Sequence, residues 1–263
     1  MIGSQQNVAL IVQARTGSSR LPGKVLMPLA GLPAIVRMMQ RLERVESAAS
    51  RLVATSDRAE DDPLVEVCRR HAIEVSRGPL DDVLARVSAA VPPDCEVVVR
   101  LTGDCPLVEP ALVDRHVALF RDGQPSAEYV TNAVVRTYPD GLDVEVVSRE
   151  TLSRAARCAT SAHDREHVMP WVRRHARMLP VTQEVDLADM RWTLDTRADY
   201  ELISAVYDAL CGDSPDFASD DVYRLMLERP ELILLADAAD SSSARADCVA
   251  RIELQLEHAR ATA

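Results

Sequence analysis

Four short apolar runs alternate with amphipathic segments through the first half of the chain. Each run is bounded by polar or glycine-rich residues, as is typical of a strand buried on both faces. The runs lie roughly 20–30 residues apart, which leaves room for a helix between consecutive strands. This alternation predicts βαβ units, and therefore an α/β fold with a Rossmann-like, mostly parallel sheet and helices on both faces. The predicted strands are 8–14, 51–56, 73–76 and 96–101, and the predicted helices are 34–45, 62–71, 81–90 and 110–120.

The alternation changes after Gly123, where short strands are predicted on either side of a turn at 138–141. We interpret residues 123–190 as an inserted region of strands and helices that rejoins the first sheet and shapes the site of a second substrate. The elements predicted from here onward are strands 128–135, 142–147, 178–185 and 191–194 and helices 149–158, 164–176 and 198–211.

Residues 1–235 are predicted to form one domain that includes this insertion. A stretch rich in Asp, Ala and Ser follows, so residues 236–245 are predicted to be a linker. Residues 246–263 are predicted to be a C-terminal helix. Its apolar stripe of Val249, Ile252 and Leu256 suits either docking on the body of the domain or self-association.

The formal net charge of −11 predicts a surface that repels nucleic acid and anionic membranes, so neither is expected as a partner. The six cysteines show no metal-binding spacing and are expected to be reduced thiols. The N-terminal segment lacks the features of a signal peptide, and no apolar stretch is long enough to span a bilayer. We therefore expect a cytoplasmic protein. Because its net charge is negative, it could bind an anionic substrate only through locally concentrated cations or a divalent metal.

The loop at residues 13–24, with the sequence QARTGSSRLPGK, follows the first predicted strand and concentrates such cations. Glycine lets the backbone approach a phosphate closely, and Arg and Lys supply the charge that a triphosphate needs. The spacing does not match the Walker A or G-x-G-x-x-G motifs, which argues against a P-loop ATPase or a dinucleotide-binding fold. The alternative is a basic loop that is merely solvated. The residues predicted to bind phosphate are Arg15, Gly17, Ser18, Ser19, Arg20 and Lys24.

Two aspartates, Asp104 and Asp195, each follow a predicted strand. Ligands of open α/β sheets bind at the carboxyl ends of the strands, and a carboxylate there can hold Mg²⁺, which prefers oxygen ligands. A helix N-cap is the alternative role for a single aspartate in such a position.

The motif Q-A-R-x-G-S-x-R-L-P-G-K, followed by L-x-x-L-x-G-x-P, resembles the nucleotide loop of the SpsF-type cytidylyltransferases, which are related to the CMP-KDO and CMP-sialic acid synthetases. The resemblance covers roughly residues 8–210, and the tail beyond about 235 lies outside it. Further matching segments occur in the family's order, namely 53–57, 77–78, 81–84, 100–107, 138–145, 165–168 and 191–196.

This resemblance implies a nucleotide-diphospho-sugar transferase fold of the GT-A type, and CTP as the substrate. It implies that Asp104 and Asp195 hold a metal, Mg²⁺ with Mn²⁺ as the alternative, and that Arg15 and Lys24 complete the catalytic set. It places the base near the backbone of Ala14. A homodimer is usual among the resembling enzymes. The residues expected near the base are Thr55, Arg77 and Asp82, although Arg77 could instead cap a helix or pair with Asp81.

Two polar clusters are expected to bind the acceptor. Asp143 and Glu145 alternate with valines and should share one face of a strand, which could also be a solvent face. A histidine side chain can act as a general base near neutral pH, which makes His167 a candidate base, but a packed or capping role is equally consistent with the sequence. The acceptor-binding residues predicted in this way are Tyr138, Asp140, Asp143, Glu145, Arg165, Glu166 and His167.

The function implied by this resemblance is the transfer of CMP from CTP to a sugar acid or related acceptor, with release of pyrophosphate, in the synthesis of polysaccharide precursors. Three alternatives stay open from the sequence. They are a cytidylyltransferase acting on a small phosphonate or phosphate acid, a metal-dependent GT-A-like glycosyltransferase, and a nucleotide sensor without catalytic activity.

Overall fold

The computed structural model describes residues 7–212, 215–236 and 242–262. Its main sheet has seven strands in the order β5-β4-β1-β6-β8-β7-β9, and a small antiparallel hairpin joins β2 to β3. The strands are β1 Val8–Gln13, β2 Pro28–Leu29, β3 Leu32–Pro33, β4 Ala48–Ser56, β5 Glu74–Gly78, β6 Val97–Thr102, β7 Tyr129–Thr131, β8 Glu145–Ser148 and β9 Met178–Pro180.

Helices cover both faces of this sheet. They are α1 Ala34–Leu42, α2 Asp62–Arg70, α3 Val83–Ala89, α4 Pro110–Asp122, α5 Arg149–Cys158, α6 Ala162–His167, α7 Pro170–His175, α8 Arg197–Leu210, α9 Ser219–Glu228, α10 Glu231–Ala236 and α11 Ser242–Thr262. Short 3₁₀ helices lie at Lys24–Leu26 and Ala59–Asp61.

The sequence of the central strand β1 is apolar at successive positions and does not alternate with polar residues, because both faces of the strand are buried. Val8, Leu10 and Val12 pack into one core with residues of α1, α4 and α8. Ala9 and Ile11 point to the other face and pack with residues of α3, α5 and α7. Because both faces are covered, every position of the strand but the last is fully buried. The predicted α/β architecture is confirmed.

The first four long strands are parallel, with β1 paired to both β4 and β6, and β4 to β5. The insertion rejoins this sheet through β8, which runs antiparallel to β6 and to β7. The last strand, β9, runs parallel to β7. The sheet is therefore mixed at one end, and the inserted strands lie directly beside the strand that carries Arg100 and Thr102.

Several predicted elements differ from the structure. Residues 164–176 form two helices rather than one, because Val168 has a left-handed φ of 67° and Pro170 begins the next helix. Residues 191–194 form no strand and contribute only one bridge, between Asp140 and Arg191. The hairpin of β2 and β3, with positive φ at Ala30 and Gly31, was not predicted, nor were α9 and α10.

The C-terminal helix α11 packs on the body of the domain. Ile252 is fully buried and Leu256 nearly so, both in the same core as Val8. Arg251 also pairs with Asp189 of the insertion at 2.6 Å. Of the predicted linker at 236–245, residues 237–241 lie outside the described residues and 242–245 belong to α11. Among the helices of the described residues, none combines the length and apolar character that a bilayer crossing requires.

Candidate active site

A cleft of about 890 Å³ opens at the carboxyl ends of β1, β4 and β6. The nucleotide loop at residues 14–24 forms one wall, and residues that follow the other strands form its floor. This is the edge of the sheet at which open α/β folds bind their ligands. The lining residues are Gln13, Ala14, Arg15, Gly17, Ser18, Ser19, Arg20, Lys24, Val25, Ser56, Arg58, Glu60, Asp61, Leu80, Val83, Arg86, Thr102, Gly103, Asp104, Glu166 and His167.

The nucleotide loop is tied down at Thr16. The backbone N–H of Thr16 donates to Asp61 Oδ1 at 2.7 Å, and its hydroxyl donates to the same oxygen at 2.8 Å. The carbonyl of Thr16 accepts bonds from the N–H groups of Ser18 and Gly23, so one residue holds both arms of the loop. Burial alone would raise the pKa of Asp61, but the bonds from Ser56 and Thr16 lower it below its usual value.

Gly103 lets two strand ends approach each other at the floor of the cleft. Its N–H donates to the carbonyl of Gln13 at 2.9 Å. A Cβ at position 103 would lie 2.7 Å from the Cβ of Ala14. Any larger residue at 103 would therefore push the nucleotide loop away from the turn that carries Asp104.

Arg20, Lys24, Asp104 and Asp195, which we call the cleft cluster, bring the loop and two strand ends together. Lys24 Nζ lies 2.9 Å from Asp104 Oδ2 and 2.5 Å from Asp195 Oδ1. Arg20 Nη2 lies 2.6 Å from Asp195 Oδ2. Although burial disfavours the ammonium, the two carboxylates raise the pKa of Lys24. Burial disfavours the charged form of Asp104 as well, but Lys24 and a bond from Thr102 lower its pKa.

The position of Asp195 is set by backbone bonds. Leu194 donates its N–H to the carbonyl of Asp104 at 2.7 Å, which brings the two aspartates to the same point. Asp199 Oδ2 accepts the N–H of Asp195 at 3.0 Å and that of Thr196 at 2.8 Å. Arg191 donates to the same oxygen at 3.0 Å. The start of α8 therefore holds the Asp195 backbone in place.

The donor set fits a magnesium ion that is completed by a nucleotide. Asp104 and Asp195 place one carboxylate oxygen each around a single cation, the ammonium of Lys24. Mg²⁺ is commonly bound by one or two carboxylates together with substrate phosphates and waters. Within the described part of the chain, no group of three metal-ligating side chains occurs.

Three residues predicted to lie near the base do not line this cleft. Thr55 is fully buried within β4, and Ser56, the next residue, faces the cleft instead. Arg77 donates to the carbonyls of Ser56 and Arg58 and pairs with Asp62. The prediction that Thr55 and Arg77 lie near the base is therefore corrected. The position of Thr55 in β4 directs its side chain into the core, and the carbonyls of Ser56 and Arg58 hold the side chain of Arg77.

Asp82, the third of these residues, acts as a helix cap. Its Oδ1 accepts the N–H of Ala85 at 3.0 Å, and its Oδ2 accepts from Arg165 at 2.8 Å. Arg165, predicted to clamp the acceptor, is thus held by Asp82 and by the carbonyl of Ala159. Asp82 therefore caps α3 and Arg165 pairs with it, and neither side chain is among those that line the cleft.

The predicted acceptor residues lie in several different environments. Glu166 and His167 line the cleft, and the ring of His167 lies 4.5 Å from that of His163. Asp140 and Asp143 both pair with Arg136, at 2.9 and 2.6 Å. Burial and the charge of Asp140 raise the pKa of Asp143 in spite of Arg136.

Tyr138 is nearly buried, and its hydroxyl accepts a bond from Arg115 at 3.0 Å. The remaining acceptor residue, Glu145, is sealed in the sheet. Its side chain is 2% exposed and is bound by Arg100, Arg173 and Tyr129. We call these four residues, Arg100, Tyr129, Glu145 and Arg173, the sheet cluster. The prediction that Glu145 contacts the acceptor is corrected, because the strand beside β6 turns this side chain into the interior.

Sequence reasoning missed Asp61, Arg58 and Arg86 as cleft residues. Asp61 directly precedes the Asp62-Pro63 pair, which predicts the start of α2. The sequence therefore indicates a helix start at this position and gives no sign that Asp61 holds the loop. Arg86 lies inside α3, where an arginine usually points to solvent. No local pattern distinguishes it, and only the packing of α3 against β4 and β5 brings it to the cleft.

Comparisons with known proteins identify the family to which this chain is similar. A family model described as Cytidylyltransferase matches residues 9–209. The chain is 34% identical over 238 residues to the spore coat polysaccharide biosynthesis protein SpsF of Bacillus subtilis, a match that covers 86% of this chain and 96% of that protein. It is 36% identical over 145 residues to the 3-deoxy-manno-octulosonate cytidylyltransferase of Verminephrobacter eiseniae, which covers 52% of this chain and 51% of that protein.

Solved structures show the same fold. A cytidylyltransferase from Leptospira borgpetersenii superposes with a TM-score of 0.81 at 30% identity, covering 87% of this chain and 97% of that one. A CMP:2-keto-3-deoxy-manno-octonic acid synthetase in complex with CTP superposes with a TM-score of 0.59 at 19% identity, covering 78% and 99%. The second match shows the fold alone.

Proposed function

This chain belongs to the cytidylyltransferase family, and we propose that it transfers CMP from CTP to a sugar acid or a related acceptor with release of pyrophosphate. The acceptor oxygen attacks the α-phosphorus of CTP, and the bond from that phosphorus to the bridging oxygen of pyrophosphate breaks. Such a reaction depends on positioning and on neutralising charge, and it needs no covalent intermediate with the protein.

The observation that carries this proposal is the cleft cluster, which lies at the edge of the glycine-containing basic loop at residues 13–24. Two carboxylates and two cations from distant parts of the chain meet around Lys24 Nζ, with contacts of 2.5 to 2.9 Å. In a protein of net charge −11, a triphosphate needs such a local set of cations. Among the described residues, the side-chain partners of Lys24 and Arg20 are the carboxylates of Asp104 and Asp195, which a phosphate group can replace.

The residues of the nucleotide loop have distinct tasks in this proposal. Arg15 and Arg20 are exposed at the rim and are placed to bind the β- and γ-phosphates. Lys24 is nearly buried and is placed to neutralise charge that develops on the leaving pyrophosphate. Gly17 and Ser19 offer backbone N–H groups between these cations, and Ser18 and Ser19 offer hydroxyl donors.

Asp104 and Asp195 would hold Mg²⁺, with Mn²⁺ as an alternative. When bound there, the metal supplies charge that neutralises the phosphates and lowers the pKa of the attacking group. Asp199 fixes the backbone of Asp195, so the two carboxylates are already in place before the nucleotide arrives.

The acceptor is proposed to bind on the side of Asp104 that faces the insertion. The charges of Asp140 and Asp143 act on Cys105, the residue that follows Asp104, so this pair lies close to the metal-binding turn. Carboxylates accept hydrogen bonds from sugar hydroxyls, and Arg136 between them can bind an acidic group. The name of the relative SpsF suggests polysaccharide biosynthesis as the setting, and we propose the same for this chain, in the cytoplasm and as a homodimer.

The test is a turnover assay with CTP, Mg²⁺ and a panel of acceptors containing sugar acids, sugar phosphates and small phosphonates. We expect pyrophosphate release with one class of acceptor, together with a new phosphodiester signal in ³¹P NMR. A chelator should abolish turnover, and added Mg²⁺ should restore it. Turnover with the phosphonates alone would favour the secondary-metabolite alternative.

Calorimetry of CTP binding is the measurement that could refute the proposed function. If the protein binds no CTP in the presence of Mg²⁺, the proposed function is wrong. Release of free sugar from a nucleotide sugar, without pyrophosphate, would instead support a glycosyltransferase.

A further inference from the structure

Gln13 ends β1 and, unlike the other positions of that strand, is not fully buried. Its side chain lines the cleft. Where β1 pairs with β6, Ile11 lies opposite Arg100 and Gln13 lies opposite Thr102. Residues two apart in a strand share one face of the sheet, so Gln13, Thr102 and Arg100 lie on the same face. Gln13 therefore lies where this buried face of the sheet meets the open cleft.

The contact with Arg100 decides how the amide of Gln13 is oriented. Nε of Arg100 donates to Oε1 of Gln13 at 3.1 Å. An arginine side chain offers donors and no acceptor, so only the oxygen of the amide can face it, and the NH₂ group points away from Arg100. Nε2 of Gln13 has no hydrogen-bond partner in the part of the chain that the structure describes and is not enclosed by protein. Its two hydrogens are therefore available to a ligand in the cleft.

Arg100 is itself held in place by the sheet cluster. Nη1 of Arg100 donates to Glu145, which also accepts bonds from Arg173 and Tyr129. The side chain of Arg100 is only 13% exposed. Because Arg100 and Glu145 lie on paired strands, the guanidinium cannot rotate without leaving a buried carboxylate uncompensated. The orientation of the Gln13 amide is therefore fixed before a ligand binds.

The position of Gln13 indicates what kind of ligand atom its NH₂ group meets. The N–H of Gly103 donates to the carbonyl of Gln13 at 2.9 Å, so Gln13 lies beside the turn that carries Asp104. Under the proposed function, the α-phosphorus that reacts beside Asp104 is bonded to the ribose of CTP and then also to the acceptor. A neutral amide suits a neutral hydroxyl oxygen, whereas the cations of the cleft cluster suit the phosphates. A sugar hydroxyl is therefore the group that fits this donor.

We propose that Gln13 donates from its NH₂ group to a hydroxyl oxygen of a bound sugar, and that Arg100 is the residue that positions this donor. The inference rests on the proposed function and deepens it. The hydroxyl belongs either to the ribose of CTP or to the acceptor. A substrate that lacks it would leave the fixed donor unpaired, so Gln13 selects for that hydroxyl. The sheet cluster thus acts on the cleft through one side chain in addition to stabilising the fold.

Two variants that share only the loss of this donor test the role of Gln13. Gln13→Glu keeps an oxygen for Arg100 but adds a charge, and Gln13→Met adds no charge but removes the oxygen. Calorimetry with Mg²⁺ compares CTP with 2′-deoxy-CTP and 3′-deoxy-CTP. If the ribose is the partner, the wild type should bind one deoxy nucleotide about 10- to 100-fold more weakly than CTP. In both variants that ratio should fall to within about threefold of one, because no donor is left to unpair.

The turnover assay covers the other source of the hydroxyl. If the acceptor is the partner, the nucleotide ratios should be the same in the wild type and both Gln13 variants. The KM for the acceptor should then rise about 10- to 100-fold in both variants. Nucleotide ratios and an acceptor KM that both stay at the wild-type values would overturn the proposal. If the wild type binds no CTP or turns over no acceptor, the proposed function itself has failed.

Arg100→Lys tests whether Arg100 acts through Gln13. It keeps a positive charge beside Glu145 but loses the planar guanidinium that contacts both neighbours. The quantity that Gln13→Met changes should change in the same direction by about 3- to 10-fold, and Arg100→Lys should add nothing when combined with Gln13→Met. Effects that multiply in the double variant would show that Arg100 does not position the amide.

Gln40 of α1 provides the matched control. Its Oε1 accepts from Nη1 of Arg37 at 3.1 Å, the same kind of contact between an amide and an arginine, and it does not line the cleft. Gln40→Glu and Gln40→Met should leave the nucleotide ratios and the acceptor KM unchanged.

Urea unfolding reports whether each variant is folded. Where Arg100→Lys does not fold, Gln13→Asn takes its place, because the shorter amide keeps its NH₂ group but loses the contact that fixes it. The selectivity should then fall as in Gln13→Met. Selectivity retained in Gln13→Asn would show that the position set by Arg100 is not needed.

Discussion

The cleft cluster and the sheet cluster are built from the same kinds of residues but differ in what surrounds them. In the sheet cluster, Glu145 is 2% exposed and receives bonds from Arg100, Arg173 and Tyr129. Burial opposes its charge, yet these partners lower its pKa. In the cleft cluster the side chains of Asp104 and Asp195 are 29% and 20% exposed, and Arg20 is largely in solvent.

The buried charged groups of the sheet cluster therefore stabilise the fold, whereas the more exposed groups of the cleft cluster are accessible to a ligand. Glu145 and Arg100 lie on paired strands, so their partners cannot move without breaking the sheet. Lys24 and Arg20 lie beside the open cleft, and under the proposed function they exchange a carboxylate for a phosphate. Removing a partner should therefore affect stability in the first cluster and turnover in the second.

The largest expected effect is on stability, from Glu145→Gln. Loss of a buried charged partner leaves Arg100 and Arg173 uncompensated, which costs about 3–5 kcal/mol. Urea unfolding should show this loss, and the folded fraction should still bind CTP. Glu201→Gln, which removes an exposed surface pair with Arg197, is the control and should leave the midpoint unchanged. A loss of stability below about 1 kcal/mol for Glu145→Gln would contradict the inference that the sheet cluster, unlike the cleft cluster, stabilises the fold.

Asp104→Asn should act on turnover instead. We expect pyrophosphate release to fall about 100- to 1000-fold, because half of the proposed metal site is lost, while the unfolding midpoint stays near that of the wild type. The matched control is Asp189→Asn, an exposed aspartate that pairs with Arg251 outside the cleft. Turnover that survives in Asp104→Asn would show that the cleft cluster is structural, like the sheet cluster.

Asp61→Asn tests the tether that holds the nucleotide loop to the body. The amide cannot accept from both Thr16 and Ser56, so we expect a loss of about 1–3 kcal/mol in stability at pH 7. The folded pKa of Asp61 lies below the unfolded value, and its contribution is therefore present above the unfolded pKa of about 3.9 and lost as the pH falls through the folded pKa.

Urea unfolding at pH 7 and pH 3 measures this dependence. The difference between the wild type and Asp61→Asn should be smaller at pH 3. Asp62→Asn, which alters an exposed neighbouring carboxylate paired with Arg77, is the control for the loss of a surface charge. A difference that does not change with pH would show that the carboxylate charge of Asp61 plays no part.

The smallest effect is expected from Asp199→Asn, at about 1 kcal/mol or less in stability, because the amide oxygen still caps α8 but no longer pairs as an ion with Arg191. Any displacement of Asp195 should appear as a lower kcat with an unchanged KM for CTP. A change in KM alone would mean that Asp199 does not position the metal-binding carboxylate.

The sequence alone was sufficient for the features that depend on local pattern. Uninterrupted apolar runs predicted strands buried on both faces, and β1 has helices on both sides for that reason. The motif from Gln13 to Lys24 predicted a phosphate loop; most of its residues line the cleft, and phosphate binding by them stays a prediction. Asp104 and Asp195, which are far apart in sequence, were paired from the resemblance, and they meet at Lys24.

Only the tertiary structure decided which way individual polar side chains face. Glu145 and Asp143 looked equivalent in sequence, yet pairing of β8 with β6 and β7 buries one beside Arg100 and leaves the other with Arg136. Arg86 is one of many helical arginines until α3 packs at the end of β5. Burial and partners arise from contacts between distant segments, so the local pattern that determined the strands and the loop carried no information about them.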